Sequence, residues 1–143
     1  VTLADDWANE NPRALLGINV PNFPNLFIMY GPNTNMGHGG SGMWLEETQS
    51  NYITQRICDM VENNIATAEC ISELRDEYTD RIDELHADLI WAHPGTPTYY
   101  RTAAGKVRSP MPFRLVDYWT MTNERGLEDF ITTPHSTSNT TGN

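Results

Sequence analysis

The stretch LFIMYGPNTNMGHGGSGMWLEE, Leu26 to Glu47, runs from a continuous apolar segment through a loop rich in Gly and Asn into a helical pattern. Leu26, Phe27, Ile28, Met29 and Tyr30, stopped at once by Gly31-Pro32, read as a strand buried on both faces of a parallel sheet. Beyond the loop, Leu45, Tyr52, Ile53, Ile57, Met60 and Val61 fall on one face of a helix. Ser41 is placed to cap its N-terminus, and Glu46 and Glu47 come early, where the helix dipole favours negative charge. The expected class is α/β, with a polar loop whose backbone can approach a flat or anionic ligand at a helix N-terminus.

The same stretch holds a G-x-G-x-x-G at Gly37, Gly39 and Gly42. A dinucleotide fingerprint needs its first Gly at the tight turn where a strand passes into a helix. Here Gly31-Pro32-Asn33-Thr34-Asn35-Met36 intervenes, and Glu62, at the ribose-binding distance, falls near a helix end instead of a strand tip. The match is therefore read as chance. A P-loop fails because Met43 stands where Lys is required. HGGS, His38 to Ser41, resembles an esterase oxyanion loop, but Met43 breaks the G-x-S-x-G elbow. His38 has no acid partner at catalytic spacing and is kept as a loop residue. No catalytic residue and no metal site is expected.

Upstream, Val1 to Pro24 is rich in Asn and Pro and reads as an extended, loop-like approach. Downstream, Ile71, Leu74, Tyr78, Ile82, Leu85 and Leu89 recur at spacings of three and four with Glu, Asp and Arg opposite, a second helix ending near Trp91. From Thr96 onward loops and short strands are expected, since TYYRTAAGKVRSPMPF has turn signals at Ala104-Gly105 and prolines at 110 and 112. LVDYWTMT fits a short helix or a strand. The tail from Thr132 to Asn143, with a sequon at Asn139, cannot pack a core and is expected to be disordered.

A length of 143 residues suits one domain or a piece of a larger one. Nothing approaches the roughly 18 apolar residues of a membrane span. A net charge of -10 repels nucleic-acid phosphates and anionic lipid, so neither nucleic acid nor membrane is expected as a partner. Cys58 and Cys70 read as two reduced thiols of a cytoplasmic protein. The chain opens on Val1 without a signal-like segment and is read as a soluble fragment.

The ordered set Leu16-Gly17, Phe23-Pro24-Asn25-Leu26-Phe27, Gly31-Pro32-Asn33-Thr34 and Glu47-x-Gln49-x-x-Tyr52 resembles the end of the FAD-binding domain in Baeyer-Villiger and related class B flavoprotein monooxygenases. IWAHPG at Ile90 to Gly95, YYRTAAGKV and PFRLVDYWTMT resemble the C-terminal segment of the 4-hydroxyacetophenone monooxygenase-like branch. The resemblance covers nearly all of the chain except the tail. It implies an incomplete, C-terminal α/β portion of a flavoprotein with two dinucleotide domains. Residues 1–63 would close the FAD-binding domain, 64–131 would form a helix with a loop and short-strand segment, and 132–143 the tail.

The activity implied is insertion of an oxygen atom beside a ketone carbonyl, or oxidation of a heteroatom, using FAD, NADPH and oxygen. The loop from Asn33 to Met43 would run beside the isoalloxazine, with the helix N-terminus favouring negative charge on its N1-C2=O edge. Asn33, Thr34, Ser41, Gly42 and Met43 are the implied cofactor contacts. Met36, Met43 and Trp44 would line the pocket for the small-molecule substrate, although Trp44 reads as well as a core residue of its helix. Where the family commonly has Trp-Tyr in a mobile loop over the nicotinamide, this chain has Tyr99-Tyr100. Tyr99 would stack or donate a hydrogen bond there, or the two rings would pack on opposite faces of a strand.

Lys106, Arg108 and Arg114 would meet cofactor phosphate or pair with the chain's own acids. The family's two dinucleotide fingerprints and catalytic Arg are expected upstream of Val1. The chain alone is thus expected to be inactive, with the missing N-terminal FAD and NADP domains as its partners and a homo-oligomer left open. The alternative is a free-standing binding or assembly module that docks through the acidic helix from Ile71 to Leu89. A large apolar patch around Leu26 to Tyr30 favours the fragment, since a module must cover it.

Overall fold

The structure, a computed structural model, describes residues 1–95 and 97–136. Its helices are α1 (Leu3–Asp6), α2 (Gly42–Glu62), α3 (Ser72–Ala87) and α4 (Leu115–Glu124), and its strands are β1 (Ile65–Cys70) and β2 (Phe130–Pro134). Helix α2 begins as its sequence predicts: Ser41 is extended and its hydroxyl accepts the Trp44 N–H. Its buried face carries Leu45, Thr48, Gln49, Tyr52, Arg56 and Met60 at spacings of one helical turn or its multiples. Ile57 and Val61 sit at the edge of that face, 48% and 75% exposed. Glu46 and Glu47 enter in the second turn, past the first-turn positions where the dipole acts. Helix α3 buries Tyr78 and Ile82 from the predicted stripe, and α4 settles LVDYWTMT as helix.

Two expectations are corrected. Leu26 to Tyr30 does not form a strand buried on both faces. Its Ile28 N–H meets the Ile18 carbonyl at 2.9 Å, but Met29 and Tyr30 are 46% and 49% exposed. An apolar run becomes a strand only beside a partner edge, and within the described residues none lies beside this one. The sheet that does form pairs β1 with β2 antiparallel, Cys70 opposite Phe130 and Ala68 opposite Thr132. The predicted disordered tail therefore starts too early, because Thr132 to Pro134 belong to β2. Residues 137–143, with the sequon at Asn139, and Thr96 lie outside the described residues.

One buried cluster takes Leu15, Leu16 and Ile18 from the N-terminal segment, Leu45, Tyr52 and Met60 from α2, Tyr78 and Ile82 from α3, and Met111, Phe113, Tyr118 and Phe130 from the C-terminal part. It draws on both sides of residue 63. Each such side chain contributes about 1.5–3 kcal/mol on burial, and two of the three tyrosine hydroxyls that go in with them are bonded, that of Tyr78 having no partner among the described residues. The Tyr118 hydroxyl donates to the Leu16 carbonyl at 2.7 Å and accepts from Gln49 Nε2 at 3.0 Å, while Tyr52 donates to Asn19 Oδ1 at 2.9 Å. These bonds fix α2 and α4 on the N-terminal turn. No helix is long and apolar enough to cross a membrane, among the described residues.

Candidate functional site

The floor of the site is a contact between two backbones. Leu16 at φ +57° and Gly17 at φ +71° make a tight turn closed by the Ile18 N–H on the Leu15 carbonyl. A Cβ on Gly17 would lie 2.2 Å from Thr34 Cγ2, and one on Gly31 would lie 2.1 Å from the Gly17 carbonyl oxygen. Leu16-Gly17 and Gly31-Pro32-Asn33-Thr34, separated in sequence, are thus one piece of structure that only glycine permits.

On this floor sit Asn33 and Thr34, both buried. The Thr34 hydroxyl donates to the Gly31 carbonyl at 2.6 Å. Asn33, at φ +57°, gives its side-chain amide to the carbonyls of Val107 at 3.1 Å and Pro110 at 3.2 Å. Backbone bonds tie the same turn to residues 108–111: Asn33 N–H to Arg108, Asn35 N–H to Ser109, and Met111 N–H to Asn35. These two side chains therefore point into the protein and hold the loop from beneath.

From Gly37 to Met43 the chain is exposed, with Gly39 at φ +99° and Gly40 at φ +120°. Ser41 caps α2, leaving the first-turn N–H groups of Gly42 and Met43 without intrahelical acceptors. A Cβ on Gly42 would meet nothing within 4 Å, so a ligand can approach that backbone. Beside it an open cleft of about 690 Å³ is lined by Met29, Met43, Glu46, Glu47, Ser50 and Asn51. Methionine walls and free N–H donors fit a flat ring with an electron-rich edge. The two glutamates disfavour a pyrophosphate at the same place. Isoalloxazine fits this donor set, while the rest of FAD needs residues elsewhere.

Met36 is half-buried, its sulfur 3.0 Å from the Cβ position of Gly40. Trp44 packs half-buried on the core and lines an apolar groove of about 380 Å³ with Leu115, Val116 and Trp119. Tyr99 is 83% exposed and comes from a different loop. It does not alternate with Tyr100 across a strand: the two lie in a turn, rings 4.1 Å apart, with the Tyr99 hydroxyl donating to that of Tyr100 at 2.7 Å. That bond holds the Tyr99 phenol above its ordinary pKa. Tyr100 stacks edge-on against Trp91, whose ring lies 3.2 Å from the Cβ position of Gly37, so an aromatic chain links the Tyr99 loop to the glycine loop.

The basic residues are engaged by the chain's own acids. Lys106 and Arg108 share Asp83, at 2.6 and 2.5 Å, and Arg114 pairs with Asp117 in two bonds of 2.7 Å. Burial pushes the Asp83 carboxyl up, but the bonds from Arg108 and Lys106 outweigh it and hold it below the usual range. Cys58 and Cys70 are free thiols. Among the described residues no group of three or more His, Cys, Asp or Glu could hold a metal. His86, absent from the sequence reading, is buried beside Asn33 with its Nε2 3.1 Å from the Pro110 carbonyl. Its only sequence signal is that it continues the Tyr78, Ile82 stripe at a spacing of four.

No protein-family model matches the chain. It is 37% identical over 133 residues to the uncharacterized monooxygenase y4iD of Sinorhizobium fredii, covering 93% of this chain and 20% of that one. It is 30% identical over 134 residues to the FAD-binding monooxygenase ktnD of Aspergillus niger, 91% of this chain and 22% of the relative. Over 74 residues, 52% of this chain and 13% of the relative, it is 31% identical to a cyclohexanone 1,2-monooxygenase of Acinetobacter. The solved structure of an oxidized steroid monooxygenase bound to NADP shares the fold, with a TM-score of 0.79 at 20% identity over 94% of this chain and 26% of that one. The chain is thus similar to one portion of FAD-binding, Baeyer-Villiger-type monooxygenases and spans about a fifth of the length of the first two relatives.

Proposed function

We propose that this chain is the C-terminal part of an FAD- and NADPH-dependent monooxygenase that inserts oxygen beside a ketone carbonyl, or oxidises a heteroatom, in a small molecule. The observation that carries the reading is the exposed helix N-terminus at Ser41, Gly42 and Met43, held on a buried turn beside a methionine-walled cleft. Bound FAD would supply the redox chemistry. The chain's own part is to hold and orient it. Gly42 and Met43 offer N–H donors to an electron-rich edge of the ring, Met29 and Met43 exclude water from one face, and Asn33 and Thr34 fix the loop that carries those donors. Met36 and Trp44 belong to the substrate side, and Tyr99, on its separate exposed loop, meets the nicotinamide cofactor.

In this reading residues 1–63 close the FAD-binding domain and 64–131 follow it, within the 4-hydroxyacetophenone monooxygenase-like branch. The chain by itself is inactive. Exposure of Met29, Tyr30 and Met43, at 46%, 49% and 75%, favours a surface built to be covered by further domains over a free-standing module. The test expresses the protein encoded by the whole reading frame beside the 143-residue chain. The whole protein is expected to carry a flavin spectrum and to oxidise NADPH when an aryl ketone is added, with the ester as product, while the chain does neither. A whole protein without flavin overturns the reading. Tight FAD binding and NADPH oxidation by the chain alone overturn its fragment part.

A further inference from the structure

A carbonyl oxygen only accepts, so the 3.1 Å contact between His86 Nε2 and the Pro110 carbonyl requires the proton to be on Nε2. Asn33 Nδ2, 3.4 Å from the same nitrogen, is then a second donor and not a partner; it gives its protons to Val107 and Pro110. The Pro110 carbonyl thus accepts from two elements at once, α3 through His86 and the glycine loop through Asn33. His86 Nδ1 is buried without a hydrogen-bond partner, as expected of an imidazole held neutral in this orientation.

We infer that His86, as the neutral Nε2–H tautomer, is a positioning residue for the glycine loop: through Pro110 it ties the end of α3 to the Asn33 turn. The geometry is independent of the monooxygenase reading, which enters only in what the loop then holds. The charged groups facing the ring are Asp83, one turn earlier on α3, and Arg108 from the 107–111 segment; they pair with each other, and Lys106 shares Asp83. A second proton would enter at Nδ1, where no acceptor waits. Burial holds the His86 pKa below its ordinary value, against the opposing pull of the Pro110 bond and Asp83. Protonation therefore favours an open form in which the ring leaves its slot and the Asn33 turn loosens.

The test is made on the full chain. Long-range nitrogen-proton NMR at neutral pH is expected to show His86 as the neutral Nε2–H form. Amide-exchange protection of Asn35 and Met111, corrected for the intrinsic pH dependence, is expected to decline from pH 8 towards 5 in the native chain. It should stay flat in His86→Gln, which keeps a donor near Nε2 but does not titrate. In His86→Phe, which lacks the donor, protection is expected to fall by about tenfold or more at every pH. An Nδ1–H or doubly protonated ring at neutral pH, a declining profile in the Gln variant, or undiminished protection in the Phe variant overturns the inference. If the Phe variant does not fold, the native tautomer and the Gln profile decide it. Flavin content of the whole protein is read separately, so loss of the flavin reading leaves these outcomes intact.

Discussion

The two ends of a single loop are built on opposite principles. At Asn33-Thr34 both side chains are buried and donate to backbone carbonyls, and two glycines bring backbones together more closely than any side chain permits. At Gly37 to Gly42 the backbone is exposed, and two of its glycines take positive φ, Gly39 with nothing within 4 Å of its Cβ position and Gly40 against the side-chain ends of Met36 and Leu115. The difference is one between support and presentation. A ligand-binding backbone must leave donors unsatisfied, and it can be held in place only if the residues just before it are over-determined.

The sharpest way to break this contrast is at the support. Gly17→Val places a branched Cβ where Thr34 Cγ2 lies at 2.2 Å and Pro32 O at 2.7 Å, on a backbone at φ +71°. The expected loss is about 3–5 kcal/mol in urea denaturation, enough to unfold a marginal domain. Gly39→Ala makes the opposite case, with positive φ but nothing within 4 Å of its Cβ, and is expected to cost about 1 kcal/mol. Equal losses at the two positions would remove the distinction.

Tyr118→Phe ranks between them. It leaves the Gln49 amide and the Leu16 carbonyl buried without their partner, for an expected loss of about 1–3 kcal/mol by the same denaturation measurement. The pH dependence follows from two groups on α3. His86 has its pKa lowered on folding, so its contribution is full above the ordinary value of 6.5 and fades as pH falls below it. Asp83, lowered from 3.8, contributes above that value and is lost only in stronger acid. Denaturation midpoints against pH should show both declines in the native chain and only the acid one in His86→Gln.

Much of the exposed end was legible in the sequence, and little of the support was. The period of α2 and the Ser41 cap are local signals, and local physics decides them. Leu16-Gly17 and Gly31 to Thr34 were visible only as separate pieces of a family resemblance, and their contact was not read, because a close approach between separated backbones leaves no periodicity. Asn33 was read as a cofactor contact from the family resemblance; its inward direction depends on carbonyls at positions 107 and 110, far along the chain. The strand β1, IATAEC, was missed since alanines are poor strand formers, and it holds by pairing with β2. The run Leu26 to Tyr30 had a stronger strand signal but no partner edge among the described residues.

Ser41→Ala, the smallest expected effect, tests the presenting end alone. The cap bond to the Trp44 N–H is long, 3.4 Å, and exposed, so the loss is expected near the low end for N-caps, about 0.5–1 kcal/mol. Because the buried turn does not depend on it, amide protection at Asn35 and Met111 should be unchanged while that of the first turn of α2 falls. In the whole protein the same substitution should weaken flavin retention more than it weakens folding, since the freed Trp44 N–H cannot replace the geometry that Ser41 imposes on Gly42 and Met43. A loss of protection at Asn35 as large as at the helix start would mean that the loop moves as one body. Its presenting end would then be as firmly built as its support.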